Sequence, residues 1–141
     1  MHTRLLKIAT VLIAAVLVTP DARADIAFIA ILKVPKQNQA AFEVVAGKMT
    51  QASKTNKGLL IYEFARVGDR VYGYERYTDD DAHERHQMLI EPFLPELTSL
   101  AEFEAIITLT PLSDRMRSAF EQIEAKIGVP IVGVAQGRLG N

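Results

Sequence analysis

The chain has 141 residues, with 16 lysines and arginines against 17 aspartates and glutamates, and no cysteine or tryptophan. The near-balanced charge speaks against a basic nucleic-acid or anionic-membrane surface. The missing cysteine removes a disulfide scaffold and any thiol nucleophile.

The first element is not part of a domain. Arg4 and Lys7 precede an uncharged run from Ile8 to Val18, Thr19 and Pro20 break it, and Ala22-Arg23-Ala24 offers small residues at a cleavage site. This order predicts a secretory signal peptide over 1–24, cut before Asp25, and therefore a periplasmic or secreted protein. The alternative is an uncleaved anchor, but the run is eleven residues, and roughly 20 are needed to cross a bilayer. No stable membrane insertion is expected after cleavage. The remaining 117 residues carry a net charge near −3, and that length supports one core without staples.

Asp25 to Val34 is a continuous apolar stretch of strand length, so both faces of that strand are expected to be covered. Pro35 ends it. From Lys36 to Thr55, Ala41, Phe42, Val45, Met49 and Ala52 recur at helical spacing, and Gly58 is expected to stop the helix by taking a positive φ. Two β-rich runs follow, Leu59 to Arg66 and Arg70 to Tyr77, joined at Gly68-Asp69 in a hairpin. A two-residue loop sets Tyr62 opposite Glu75 and Glu63 opposite Tyr74. Leu60, Tyr62, Phe64, Gly73, Glu75 and Tyr77 then share one face.

Thr78 and Asp79 to Asp81 place a cap and negative charge at a helix N-terminus, most simply a solvated one. That helix puts Ala82, His86 and Leu89 on one stripe. A turn and helix over Phe93 to Leu100 lead to a fourth strand, Phe103 to Leu109. Ser113 is placed to cap a last helix, Asp114 to Ile127, with Met116, Phe120, Ile123 and Ile127 inward and Gly128 as its stop. Val129 to Val134 predicts a short edge strand, and 137–141 a disordered tail. Residues 25–112 thus read as one α+β domain of order β-α-β-β-α-β, and 113–141 as a C-terminal helix and tail. Two helices cover only one face of such a sheet. The other is apolar enough that a second copy is expected to pack on it, which predicts a homodimer.

Ser53, Lys54 and Gly58 at the first helix end, Glu75-Arg76-Tyr77 at a strand end, and Ala82 with His86 on the next helix form an ordered set. That set resembles the antibiotic-biosynthesis monooxygenase (ABM) family of ferredoxin-like, dimeric α+β barrels. Asn56 departs from it, since a glutamate is usual there. Glu91-Pro92-Phe93 also departs, standing where a second histidine often lies.

The resemblance implies a cofactor-independent monooxygenase acting on a small aromatic or quinol-like compound. It implies an apolar pocket, lined by Phe28 and Phe64, in which a deprotonated substrate meets dioxygen. His86 is the expected base or anion partner because histidine titrates near neutrality. Tyr62 and Tyr77 are expected as hydrogen-bonding walls, with Glu75 orienting one of them. Haem degradation also occurs on this fold, but the chain lacks the tryptophan and second histidine that would favour it. No cofactor is called for.

The competing readings are plainer. His86 on an apolar stripe also reads as a packing residue, and the tyrosines as ordinary strand residues. His83 and His86 alone make a poor zinc pattern. Export and the two departures from the family pattern fit a non-catalytic small-molecule-binding or interaction module on the same fold.

Overall fold

The computed structural model describes residues 25–133. The expected signal peptide and the tail over 137–141 lie outside them. Nine elements follow in order: β1 (Ile26–Lys33), α1 (Gln39–Ser53), β2 (Leu59–Val67), β3 (Arg70–Tyr77), α2 (Asp80–Ile90), α3 (Leu94–Leu100), β4 (Glu102–Thr108), α4 (Asp114–Ile127) and β5 (Ile131–Gly133). They build one sheet of order β2-β3-β1-β4-β5, antiparallel except for the added pair of β4 with β5. None of the described helices is long and apolar enough to cross a membrane.

β1 is central, which explains its unbroken apolar run. Ile26, Phe28, Ala30 and Leu32 are buried on the helix side. Ile29 and Ile31 occupy the other face, beside Tyr74 and Tyr72 of β3 and Ile107 and Ala105 of β4. That second face is half-buried, and among the described residues no helix packs on it.

The hairpin has the expected register from Tyr62↔Glu75 to Val67↔Arg70, and Gly68 turns it at φ 64°. At its base the register slips. Leu59 sits opposite Tyr77 and Ile61 opposite Arg76, so Leu60 is the extra residue of a bulge. Leu60 therefore leaves the face it was expected to share with Tyr62 and is 48% exposed, while Leu59 packs inward instead. Gly58 also differs from expectation. Its φ is not positive; a Cβ there would run into Ala82 and Thr78 Oγ1. Glycine at this position lets the loop after α1 lie against the first turn of α2.

The caps fall where the sequence puts them. Asp79 accepts from the Ala82 amide at 2.8 Å, and Ser113 Oγ accepts from the Met116 amide at 3.1 Å. Gly128 closes α4 at φ 68°. The acidic cluster is not simply solvated. Ser113 Oγ donates to Asp80 at 2.6 Å, and Arg115 donates to Asp81 at 2.9 Å and also to Glu84. These exposed contacts tie α4 to the start of α2, at about 0–1 kcal/mol each.

The helix side of the sheet holds two cores. One gathers Leu32, Val34, Phe42, Val45, Met49, Val71 and Leu97 under α1 and α3. The other gathers Ile26, Phe28, Tyr77, Ala82, Met116 and Phe120 under α4. α2 lies across their boundary.

Candidate functional site

α2 turns Ala82, His83, His86 and Ile90 toward the sheet. His86 is fully buried and meets side chains from three other elements. From the end of α1, Ser53 Oγ donates to the Met49 carbonyl at 2.8 Å and lies 3.1 Å from His86 Nδ1. From β3, Glu75 Oε2 lies 3.7 Å from His86 Nε2 and accepts the hydroxyl of Tyr77, its neighbour on the same strand face. From β2, Tyr62, paired across the sheet with Glu75, packs its ring edge-on to His86 with centroids 4.4 Å apart. The four residues expected from the sequence are thus gathered in one place. Glu75 does orient a tyrosine, and that tyrosine is Tyr77.

Dry surroundings reorder the acids and bases. Burial pushes the Glu75 carboxyl up to about 7, opposed in part by the Tyr77 hydroxyl that stabilises its anion. Burial lowers His86 to about 4, helped by nearby His83. Histidine's ordinary pKa near neutrality made His86 the expected base; here burial moves His86 down and moves Glu75 toward neutrality instead. Tyr62 and Tyr77 are both raised by burial and by Glu75, so both keep their protons.

A cavity of about 510 Å³ opens between α1 and β2, floored by Val34, Phe42, Ala46, Tyr62, Phe64 and Val71. Arg66 crosses its rim, donating to Gln39 Oε1 at 2.7 Å and standing 3.6 Å from Glu43. A smaller space of about 200 Å³ lies by Ser53, Leu59 and Ile61, and Tyr62 borders both. His86, Glu75 and Tyr77 line neither, so the ring of Tyr62 stands between them and the cavity. Phe64 is a wall residue as expected. Phe28 is not: it belongs to the other core, edge-on to Phe120 at 5.2 Å.

Ser53 and Asn56 were missed as site residues. Asn56 is buried; its Nδ2 donates to the Ala82 carbonyl at 2.7 Å and its Oδ1 accepts from the Gly58 amide at 3.3 Å. It anchors the turn of α2 from which His86 projects. The signal for both was the Ser53-to-Gly58 pattern, although Asn56 itself departs from it. Among the described residues, no three metal-ligating side chains converge.

No protein-family model matches the sequence, and neither does any curated protein. Solved structures do match it in shape. MupZ from Pseudomonas fluorescens superposes with a TM-score of 0.65 at 16% identity, over 80% of this chain and 92% of that one. SnoaB from Streptomyces nogalater, a cofactor-independent oxygenase, does so at 0.53 and 22%, over 63% and 94%. A protein of Bacteroides thetaiotaomicron named as a candidate antibiotic biosynthesis monooxygenase gives 0.57 and 15%, over 65% and 93%. The chain has the ABM fold.

Within the ABM fold the dispersed sequence pattern becomes one junction. Gly58 lies against Ala82, Ser53 touches His86, and Glu75 bridges toward His86 from Tyr77. The match to MupZ spans more of this chain than residues 25–112 can supply by themselves.

Proposed function

We propose that the protein is an exported, cofactor-independent oxygenase that acts on a small aromatic or quinol-like compound. One observation carries the reading. A carboxyl poised near pH 7 and a neutral imidazole sit in a dry cluster, directly behind a tyrosine that walls an open, substrate-sized groove with an apolar floor and a polar rim. The substrate ring lies against Phe42, Phe64 and Val71, with its hydroxyl at Tyr62. When the Tyr62 ring turns aside, that hydroxyl reaches the Glu75–His86 pair and gives up its proton. The electron-rich anion then reacts with dioxygen itself. SnoaB, a cofactor-independent oxygenase of the same fold, supports the reaction class.

A homodimer completes this reading. Ile29, Ile31, Tyr72, Tyr74 and Ile107 form an apolar stretch of sheet that none of the described helices covers, and a second copy removes it from water. Sedimentation checks this; a folded, dilute monomer would refute it. Export rests on residues 1–24.

The test is oxygen uptake with a panel of hydroquinones and polyphenols, comparing wild type with His86→Ala. Uptake above autoxidation that is lost in the variant supports the enzyme. A second reading, a small-molecule-binding module on the same fold, is favoured by one fact: His86 and Tyr77 border neither cavity. Uptake no faster than the blank makes that reading the better one.

A further inference from the structure

We infer that Ser53 is a positioning residue that fixes the tautomer of His86, keeping Nδ1 protonated and leaving Nε2 as a bare proton acceptor facing Glu75. A serine hydroxyl has one proton to give. Ser53 gives it to the Met49 carbonyl at 2.8 Å, the usual back-bond of a serine late in a helix. Its 3.1 Å contact with the ring must then run the other way, with Nδ1–H donating to Oγ.

The far side of the ring agrees independently. His86 Nε2 is the one buried side-chain nitrogen or oxygen among the described residues that has no hydrogen-bond partner. Were it N–H, it would be an orphaned buried donor, and such donors are rarer than under-satisfied acceptors.

None of the groups around the ring is hydrogen-bonded to Nε2. α1 presents Ser53, whose proton is committed. β2 presents Tyr62, stacked edge-on. β3 presents Tyr77, whose proton goes to Glu75, and Glu75 itself at 3.7 Å. α2 adds His83, which helps lower His86 and whose Nε2 is engaged with Gln87. Only a protonated Glu75, or the hydroxyl of an incoming molecule, is left to meet Nε2. Two facing acceptors also give Glu75 a reason, beyond burial, to hold its proton.

The consequence for catalysis rests on the oxygenase reading; the tautomer does not. A phenolic proton moves to Nε2 and its electron pair stays on the substrate oxygen. This transfer runs in the molecules whose Glu75 is already ionised, and the imidazolium is then held by Ser53 Oγ at Nδ1–H and by the Glu75 carboxylate at Nε2–H. In the opposite tautomer Nε2 would already carry a proton and could accept nothing.

The test is a ring 1H–15N correlation spectrum of the 15N-labelled full chain near neutral pH, with the His86 signals assigned by their loss in His86→Gln. The expected wild-type form is Nδ1–H. Ser53→Ala should move the tautomer ratio about tenfold toward Nε2–H, the worth of one lost hydrogen bond, while the His83 signals stay in place. Ser53→Thr, which keeps the hydroxyl, should restore the wild-type ratio. An Nε2–H form in the wild type overturns the inference whatever the variants do, and so does an unchanged ratio in Ser53→Ala. In oxygen uptake, Ser53→Ala should lower kcat, leave KM, and shift the pH profile. Absence of any wild-type uptake would sink the oxygenase reading alone, leaving the ring spectrum to judge Ser53.

Discussion

His83 and His86 stand three residues apart on α2, are both buried, and are both pushed down to about pH 4 chiefly by burial. Apart from Tyr77, their surroundings differ. His83 sits among rings, with Tyr77 at 5.2 Å, Phe28 at 5.7 Å and Phe120 at 5.8 Å, and its Nε2 is 3.3 Å from the Gln87 amide nitrogen. His86 faces a serine, a carboxyl and a tyrosine that borders a cavity. A shifted pKa is therefore common to a packing histidine and a candidate base, and the partners distinguish them. Tyr77 touches both rings and divides the two settings.

Exchanging the two histidines for alanine is the harshest way to break this comparison. His86→Ala should cut oxygen uptake by about 100-fold or more. His83→Ala should lower stability and leave turnover within a few-fold. Equal losses in both would mean that the two surroundings are not functionally distinct.

Phe120→Ala empties space on the His83 side, where Phe120 packs edge-on to Phe28. It should cost about 3–5 kcal/mol in denaturant melts without moving the His86 ring signals. Movement of those signals would show that the two cores are coupled through Tyr77.

The pH dependence of stability sharpens the contrast. Glu75 is raised from its ordinary 4.5 to about 7, so its contribution is full below about 4.5 and is lost as pH rises through 7. The two histidines are lowered from 6.5 to about 4, so theirs is full above 6.5 and is lost as pH falls through 4. Two groups oppose one, and stability should rise between pH 4.5 and 6.5. Glu75→Gln removes the opposing group, so its rise should be steeper than that of the wild type. Parallel curves from melts across that range would count against a buried, protonated Glu75.

The smallest effects come from the caps. Asp79→Ala and Ser113→Ala should each cost about 1 kcal/mol, measurable as lowered denaturation midpoints. Asp79 caps the helix that carries both histidines, so its loss should also broaden their ring signals, whereas loss of Ser113 should not.

Much of the scaffold could be read along the chain because its signals are local. The hairpin turn at Gly68-Asp69, the caps Asp79 and Ser113, and the αL stop at Gly128 each act within a few residues of themselves. The apolar periodicity of α4 likewise states which face goes inward, and the unbroken apolar run of β1 that it lies inside the sheet. Leu60 escaped this logic, because a bulge appears only when one strand is laid against another. Phe28 escaped it too: its strand was evident, but which of the two cores received it was not.

The candidate site divides along the same line. His86 was recognisable on an apolar helical stripe, and Tyr62, Glu75 and Tyr77 as sharing one hairpin face, while their grouping as a site came from the family resemblance. Their chemistry was not recognisable, because protonation depends on water excluded by distant segments. Ser53 meets His86 across 33 positions of sequence, and burial between sheet and helices moves Glu75 to neutrality and His86 away from it. Periodicity, turns and caps settle the elements and their faces. The choice of which buried group holds the proton belongs to the packing of α1, α2 and the hairpin against one another.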